Sequence, residues 1–452
     1  MSEWPLLELE SYPVEIIDGD RGAEYPKTSD FTSSGYCLFL NARNVTTSGF
    51  AFDQCAFISE DRDSRLRKGR LLRNDVVATT RGTVGNFAHY DASVPYTHVR
   101  INSGMVILRP EAKKLLPRFF YFSVRSPSFA AQIRSLTSGS AQPQLPIRDM
   151  RKLRLPLPPF EEQARIVEII GSLDDKIELN RRMNETLEAM AQAIFRDWFV
   201  DFGPTRRKID GATDPIEIMG GLVADPERAR ELAALFPARI GDDGLPEGWS
   251  ETPIGELAEI VGGSTPSTKS EEYWNDGHHI WATPKDLSKL DGLFLFDTER
   301  RITDAGLAKI GSGLSPAGTV LLSSRAPIGY LAVADAPTAV NQGFIAIRPS
   351  SRLPTAMSLL WCQANMEKII ASANGSTFLE ISKRNFRPLS VTSASNELVE
   401  ALNEVVAPML DLMRTRSREN RTLAATRDLL LPKLMSGEIR LRDAERQIEA
   451  VA

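Results

Sequence analysis

A chain of 452 residues is too long for one ordinary hydrophobic core and predicts two or three domains. Its 42% hydrophobic and 25% charged residues suit a globular protein, and no apolar run approaches the ~20 residues of a membrane span. The net charge of −5 argues at first against a polyanionic partner, while three dispersed cysteines (Cys37, Cys55, Cys362) exclude a disulfide framework and a CxxC metal pair.

The opening "MSEWPLLELE" has acids where a secretion signal has a basic and then an apolar stretch, so a reducing cytoplasm is expected. Residues 1–158 hold 21 Lys+Arg against 16 Asp+Glu, and "RDSRLRKGRLLR" (62–73) has six basic residues and one acid. Such a run is either a solvated loop or a polyanion-binding surface. The strand-like "VVATT" and "MVILRP" beside the helix-like "AAQIRSL" predict a mixed α+β first domain over residues 1–156.

A long helix is expected over 157–200. "PLPP" (156–159) precedes it, Glu161 and Glu162 occupy its first turn, and Gly203-Pro204 follow. Alternating steps of four and three from Ile166 meet Ile170, Leu173, Ile177, Asn180, Asn184, Leu187, Ala191, Ile194 and Trp198, a heptad seam with a polar middle. Residues 201–245 read as a connector. Together, 159–244 hold 11 basic against 18 acidic residues. A second mixed domain over 246–393, a second long helix over 394–435 and a tail over 436–452 complete the chain.

Adding 236 to the first seam gives Leu402, Val406, Met409, Met413, Arg416, Asn420, Leu423, Arg427, Leu430 and Leu434, again apolar at both ends. Each seam needs a partner, and the simplest is the other copy packed antiparallel, with Asn184 and Asn420 meeting to fix the register. The alternative is two amphipathic helices lying on separate cores. Pro408 is expected to kink the second helix or mark its start, and Pro432 to end it. The globular segments repeat as well. "NDVVATTRGTVGN" (74–86) answers "GTVLLSSRAPIGY" (318–330), "NSGMVILRP" (102–110) answers "NQGFIAIRP" (341–349), and "SGSAQPQLPIRDM" (138–150) answers "NGSTFLEISKRNF" (374–386). Segments 20–70 and 262–300 do not match. The chain is a duplicated unit, a variable domain followed by a shared helix.

These residues carry a family resemblance. "LPLPPFEEQARIVEIIGSLDDKIELNRRMNETLEAMAQAIFRDWFVDF" (155–202) resembles the central conserved region of the specificity subunit of type I restriction-modification enzymes, and "LLLPKLMSGEI" (429–439) the end of its distal one. "GGSTPSTKSEEYW" (262–274), "WATPKDL" (281–287), "LLSSRAPIG" (321–329) and "GSTFLEISKRNF" (375–386) resemble the frame of its second target-recognition domain. "IIDGDRGAEYPKTSDF" (16–31) and "GYCLFLNARNVT" (35–46) resemble the start of its first. The resemblance implies two α+β domains, each reading half of a split, asymmetric sequence in double-stranded DNA, separated by a pair of antiparallel helices. It implies docking of two methyltransferase subunits and a restriction/translocation subunit. Those partners would use S-adenosylmethionine to methylate adenine N6, and ATP and Mg to translocate and cut DNA. This chain would itself catalyse nothing and bind no cofactor.

Base reading needs directional hydrogen bonds from Arg, Lys, Asn, Gln, Ser or Thr. Candidates are Asn41, Arg43, Asn44, Gln142 and Gln144 in the first domain. The second offers Ser264, Thr265, Thr268, Lys269, Thr283, Lys285 and Lys383. Arg81 and Arg325 recur in the shared frame, so they should hold phosphate or support the fold rather than read letters. Tyr25, Tyr36, Tyr273, Trp274 and Trp281 either stack on bases or pack in cores. No catalytic set emerges. "LPPF" (157–160) begins with Leu157, which cannot grip a flipped adenine, no GxxxxGK exists for ATP, and His89, His98, His278 and His279 show no metal spacing with Cys or acids. A duplicated coiled-coil adaptor that binds proteins is the alternative function.

Overall fold

The structure, a computed structural model, describes residues 4–139, 143–325, 327–375, 379–436, 438–439, 443–444 and 446. Two compact units emerge, Met1–Glu178 with Arg421–Ala452, and Leu179–Asn420. Each unit contains one mixed α/β domain and one half of each of two long helices, Phe160–Phe199 and Asn396–Ser436.

In the first unit a four-stranded antiparallel sheet runs Val14–Asp18, Met105–Pro110, Val76–Thr79, Phe87–His89. A second sheet has Cys37–Leu40 at its centre, antiparallel to Phe57–Ile58 and parallel to Val99–Ile101. The central strands read as nearly continuous apolar runs because both faces are covered. One face packs with the helices Pro117–Val124 and Pro127–Leu136 into a core containing Phe119, Phe120, Phe122 and Phe129. Ile166, Ile169 and Ile170 of the first long helix enter this core beside Leu430, Leu431 and Leu434 of the second. Arg427 Nη1 donates to Asp174 Oδ1 across the pair at 2.8 Å.

The second unit repeats the plan. Its five-stranded sheet runs Ile260–Val261, Phe344–Ile347, Val320–Ser324, Ile328–Ala334, Phe294–Leu295. Its smaller sheet has His279–Ala282 at the centre, antiparallel to Arg301–Ile302 and parallel to Thr338–Val340. Thus the same topology is built twice, with Phe294–Leu295 added as a parallel edge strand in the second unit. Here the helix pair is bonded by Asn180 Nδ2, which donates to Glu419 Oε2 at 2.7 Å and Asn420 Oδ1 at 2.9 Å. Asn184 Nδ2 reaches Ser417 Oγ at 3.2 Å and the Met413 carbonyl at 3.3 Å. Partners fall in number on one helix as they rise on the other, so the seams pair antiparallel.

Three expectations about the helices need correction. Asn184 does not meet Asn420. Asn180, one turn earlier, does, because seams interdigitate and residues at matching repeat positions pass a turn apart. Pro408 neither begins the second helix nor does Pro432 end it, since the helix is continuous over Asn396–Ser436. Each proline removes a hydrogen bond to the carbonyl four residues back, on Glu404 and Asp428, and both of those residues are exposed, where water can take the freed acceptor.

Residues 201–245, expected as a connector, fold into the helices Gly203–Ile209, Pro215–Ile218 and Pro226–Ala234. Ala229, Leu232, Ala233 and Phe236 recur at helical spacing and pack with Trp198, Phe199, Phe202 and Trp249 in the second unit's core. Phe202 itself adopts φ +53, a left-handed step that turns the chain between helices. Among the described residues no helix is long and apolar enough to cross a membrane.

Candidate nucleic-acid interface

Parallel pairing brings strand ends together. Leu40 sits level with Ile101, and Ala282 with Val340, so the chain leaves both strands at one edge of each domain. Asn102 and Asn341 then turn the chain identically, their side-chain oxygens accepting from the amides of Gly104 at 2.9 Å and Gly343 at 2.8 Å. Thr80 and Ser324, at the ends of the long central strands, donate their amides to the Gly104 and Gly343 carbonyls, both at 2.8 Å. Their own carbonyls accept from Leu145 and Ile381, both at 3.0 Å. The result is one cradle made twice from different letters.

Arg81 and Arg325 follow immediately. Arg81 is bridged by its backbone to Gln144, and Arg325 to Glu380; Gln144 and Glu380 in turn pair with Ser138 and Asn374. Arg81 is exposed, whereas Arg325 is half-buried with Nη1 at 3.6 Å from Glu380 Oε2. Gln144 thus belongs to the cradle by its backbone, and Gln142 lies outside the described residues.

At the same edge each smaller sheet ends in a capped turn. Asn41 caps Ala42–Asn44 and Thr283 caps Pro284–Leu287, both as reciprocal capping boxes, in which the third residue's side chain accepts the cap amide. Asn44, 1% exposed, also donates to the carbonyls of Ala51 and Gln54, each at 3.0 Å. Asp286 accepts from the Thr283 hydroxyl at 2.5 Å and the Glu299 amide at 2.9 Å. Asn44 is therefore a folding residue and not a base reader. The Asn41 and Thr283 side chains are likewise engaged in their turns, as is the Ser264 hydroxyl, which donates to the Lys309 carbonyl at 3.3 Å. These polar groups are satisfied internally, which sequence cannot distinguish from availability.

The exposed candidates that remain are Arg43, Thr265, Thr268, Lys269, Lys285 and Lys383. Thr265 Oγ1 meets Gln342 Oε1 at 2.7 Å, tying its loop to the Asn341 turn. Arg43 Nη1 donates to Gln54 Oε1 at 2.8 Å. Glu299 receives both Lys285 (3.0 Å) and Lys289 (2.8 Å), whose ammoniums pull its carboxyl down to about 2, Lys289 most. Gln54, Lys289 and Glu299 escaped the sequence reading because each lies in a segment without an internal match, at a separation no local pattern marks.

The basic run 62–73 is largely internal scaffolding. Arg62 pairs with Glu24 and Asp30, Arg70 with Asp63, and Arg73 caps the carbonyls of Asp91, Val94 and Tyr96. Tyr25 and Trp281 pack edge-on against Phe39 and Trp274, and Trp281 is 3% exposed, so these rings are core. Tyr36 stacks on His98 at the surface, Arg300 covers Trp274, and Lys309 stands 5.7 Å from the centre of the Tyr273 ring. His278 and His279 converge on Asp304 at 3.4 and 2.6 Å, a grouping of metal-capable side chains that the sequence reading missed because Asp304 is distant in the chain. Their proximity lowers the Asp304 carboxyl's affinity for protons through the His279 hydrogen bond, as in an exposed ion pair.

Comparisons with known proteins address the chain as a whole. The family described as the type I restriction modification DNA specificity domain matches residues 14–189 and again 246–393. The HindI specificity subunit of Haemophilus influenzae, a type I restriction enzyme component, is 26% identical over 478 residues, covering 97% of this chain and 100% of that one. The MjaIX specificity subunit of Methanocaldococcus jannaschii is 34% identical over 181 residues, 40% of this chain and 42% of the relative. Among solved structures, the type I restriction-modification S subunit from M. genitalium is 16% identical, covers 96% of both chains and has a TM-score of 0.49.

Proposed function

The chain belongs to the type I restriction-modification specificity family and is a specificity subunit with two target-recognition domains; from that premise we propose how its residues do the work. Each domain reads one half of a bipartite, asymmetric DNA target with the strand-end edge that carries the cradle, the capped turn and its exposed cations. The observation carrying this reading is the doubling itself. One frame occurs twice, with the same hydrogen bonds, but the side chains displayed from it differ. Two copies of one protein would be docked by identical surfaces; two different half-sites require unlike ones.

Shared cations and variable ones then have separate duties. Arg81 and Arg325 hold phosphate, which positions without specifying, while side chains that differ between domains meet base edges. The paired helices carry the methyltransferase and restriction partners and serve as the spacer between half-sites. Those partners supply S-adenosylmethionine-dependent methylation and ATP- and Mg-dependent cleavage. Joining two readers in one chain makes the second encounter intramolecular, which raises affinity without new contacts. The protein-adaptor alternative is not favoured.

The test is to map methylated adenines in the host genome with and without this gene. A split motif that vanishes with the gene supports the reading. Methylation unchanged by deletion, in cells where the partner subunits are expressed, refutes it.

A further inference from the structure

The two capped turns are equivalent in finer detail than the fold requires. Both follow the central strand of the smaller sheet, Cys37–Leu40 and His279–Ala282. Each places a cation two residues after the cap, Arg43 and Lys285. In each the third residue is buried (Asn44 1%, Asp286 8%) and ties the turn to the loop that leads into the antiparallel edge strand. Asn44 bonds the carbonyl of Gln54 and Asp286 the amide of Glu299. Gln54 and Glu299 then return a side-chain acceptor to the cation that the turn displays, at 2.8 Å for Arg43 and 3.0 Å for Lys285.

This is one device with two chemistries. The backbone is fixed by hydrogen bonds to a buried residue, and the cation is bonded by a neighbour on a second loop, which limits the freedom of a long side chain before any ligand arrives. All four tip residues are exposed. Residues that must distinguish different half-sites belong at equivalent places with unlike side chains, and here the matched geometry carries Arg43 with Gln54 in one domain and Lys285 with Glu299 in the other. Arginine and lysine both donate well to the O6 and N7 acceptors of guanine in the major groove, arginine as a two-pronged fork and lysine as a point charge.

Resting on the proposed DNA-reading function, we propose that Arg43 and Lys285 each read a guanine, one in each half-site, and that Gln54 and Glu299 are positioning residues that aim them. Lys289, the second cation on Glu299, helps hold that carboxylate in place, 2.8 Å from Oε2.

The experiment uses the full chain assembled with its methyltransferase and restriction partners, selecting from duplexes randomised across both half-sites at one salt concentration. Arg43→Ala is expected to lose ~10-fold or more of the guanine preference at a single position of one half-site, with the rest of the motif intact. Gln54→Leu should weaken preference at that same position, and Gln54→Glu, which keeps an acceptor there, should retain it. Lys285→Ala and Glu299→Leu should act on one position of the other half-site, with Glu299→Gln milder. If these variants bind every sequence more weakly in equal proportion, with a salt slope lowered by about 1 and the motif unchanged, the cations hold phosphate and the inference is overturned while the function stands. A wild-type complex that selects no sequence at all overturns the function and the inference together.

Discussion

Asn180 offers a direct test of the helix pairing. It is 2% exposed in the seam, yet its amide donates to both Glu419 Oε2 and Asn420 Oδ1. Substituting Asn180→Ala removes both donors and leaves a carboxylate and an amide oxygen facing a small void. A neutral hydrogen bond contributes about 1 kcal/mol and one to a charged group about 1.5–3 kcal/mol. Glu419 and Asn420 are half-exposed, so water recovers part of that and the low end applies. The expected cost is ~2 kcal/mol, felt locally because the helices open without the sheets. At 1.4 kcal/mol per factor of ten this is ~30-fold faster amide hydrogen exchange. The assay is exchange measured by mass spectrometry on peptides covering 179–190 and 410–420, with a peptide in the Val76–Thr79 strand as the internal reference. Asn180→Ala combined with Asn420→Ala should cost about 1 kcal/mol less than the sum of the single changes, the signature of a direct bond. Exchange that rises less than threefold in both helices, or equally in the reference strand, would refute the register.

Other expectations follow from the same geometry. Arg81→Ala and Arg325→Ala should lower DNA affinity without altering the selected motif, read by the same duplex selection; a changed motif at unchanged affinity counts against a phosphate role. A four-residue insertion at matching register in both long helices adds about 6 Å of rise, close to two base pairs, and should lengthen the accepted gap between half-sites accordingly; an unaltered gap in the methylation map would show that the helices are not the spacer. Trp198→Ala empties a site that is 1% exposed and edge-packed on Phe236, and should destabilise the second unit by about 3–5 kcal/mol in thermal unfolding. Burial holds the Glu188 carboxyl above its ordinary 4.5. The folded state therefore keeps this proton where the unfolded chain has released it, so the contribution is full below pH 4.5 and fades as pH climbs through the raised value. Glu188→Gln should remove that slope from the pH dependence of melting, and a slope that survives the substitution would assign it to another group.

Much of this architecture was readable from periodicity. The heptad seam found Ile166, Ile170, Leu173, Ala191, Ile194 and Trp198, all buried, because helical spacing alone decides which residues share a face. The repeat located the cradle, since "TTRG" and "SSRA" and the Ser138 and Asn374 segments keep the letters that a common backbone needs. What periodicity could not supply was the phase of one helix against the other, which put Asn420 opposite Asn180 instead of Asn184. Nor could it reveal that the helix runs on through Pro408, because the cost of that proline depends on whether the freed carbonyl meets water.

Candidate readers were harder still. Asn41, Asn44, Thr283 and Ser264 have the right chemistry for bases, and each is occupied within its own domain, Asn41, Asn44 and Ser264 with backbone and Thr283 with the Asp286 carboxylate. Residue type records what a side chain is able to bond and not what it already bonds. Gln54 and Glu299 carried no signal at all, yet they bond Arg43 and Lys285, two of the exposed cations at the edge.

Two things were therefore settled by the order of amino acids alone: that the chain is a duplication, and that each half pairs a mixed α/β domain with a long amphipathic helix. Both rest on local periods and repeated phrases, which short-range backbone geometry enforces. Tertiary structure decided the helix register, the folding of 201–245 into a core and the division of polar residues into those spent on turns and those displayed. The first two depend on contacts between residues tens or hundreds of positions apart, and the third on which acceptor, near or far, each polar group reaches, so burial and a partner's distance, rather than residue type, determine what a side chain does.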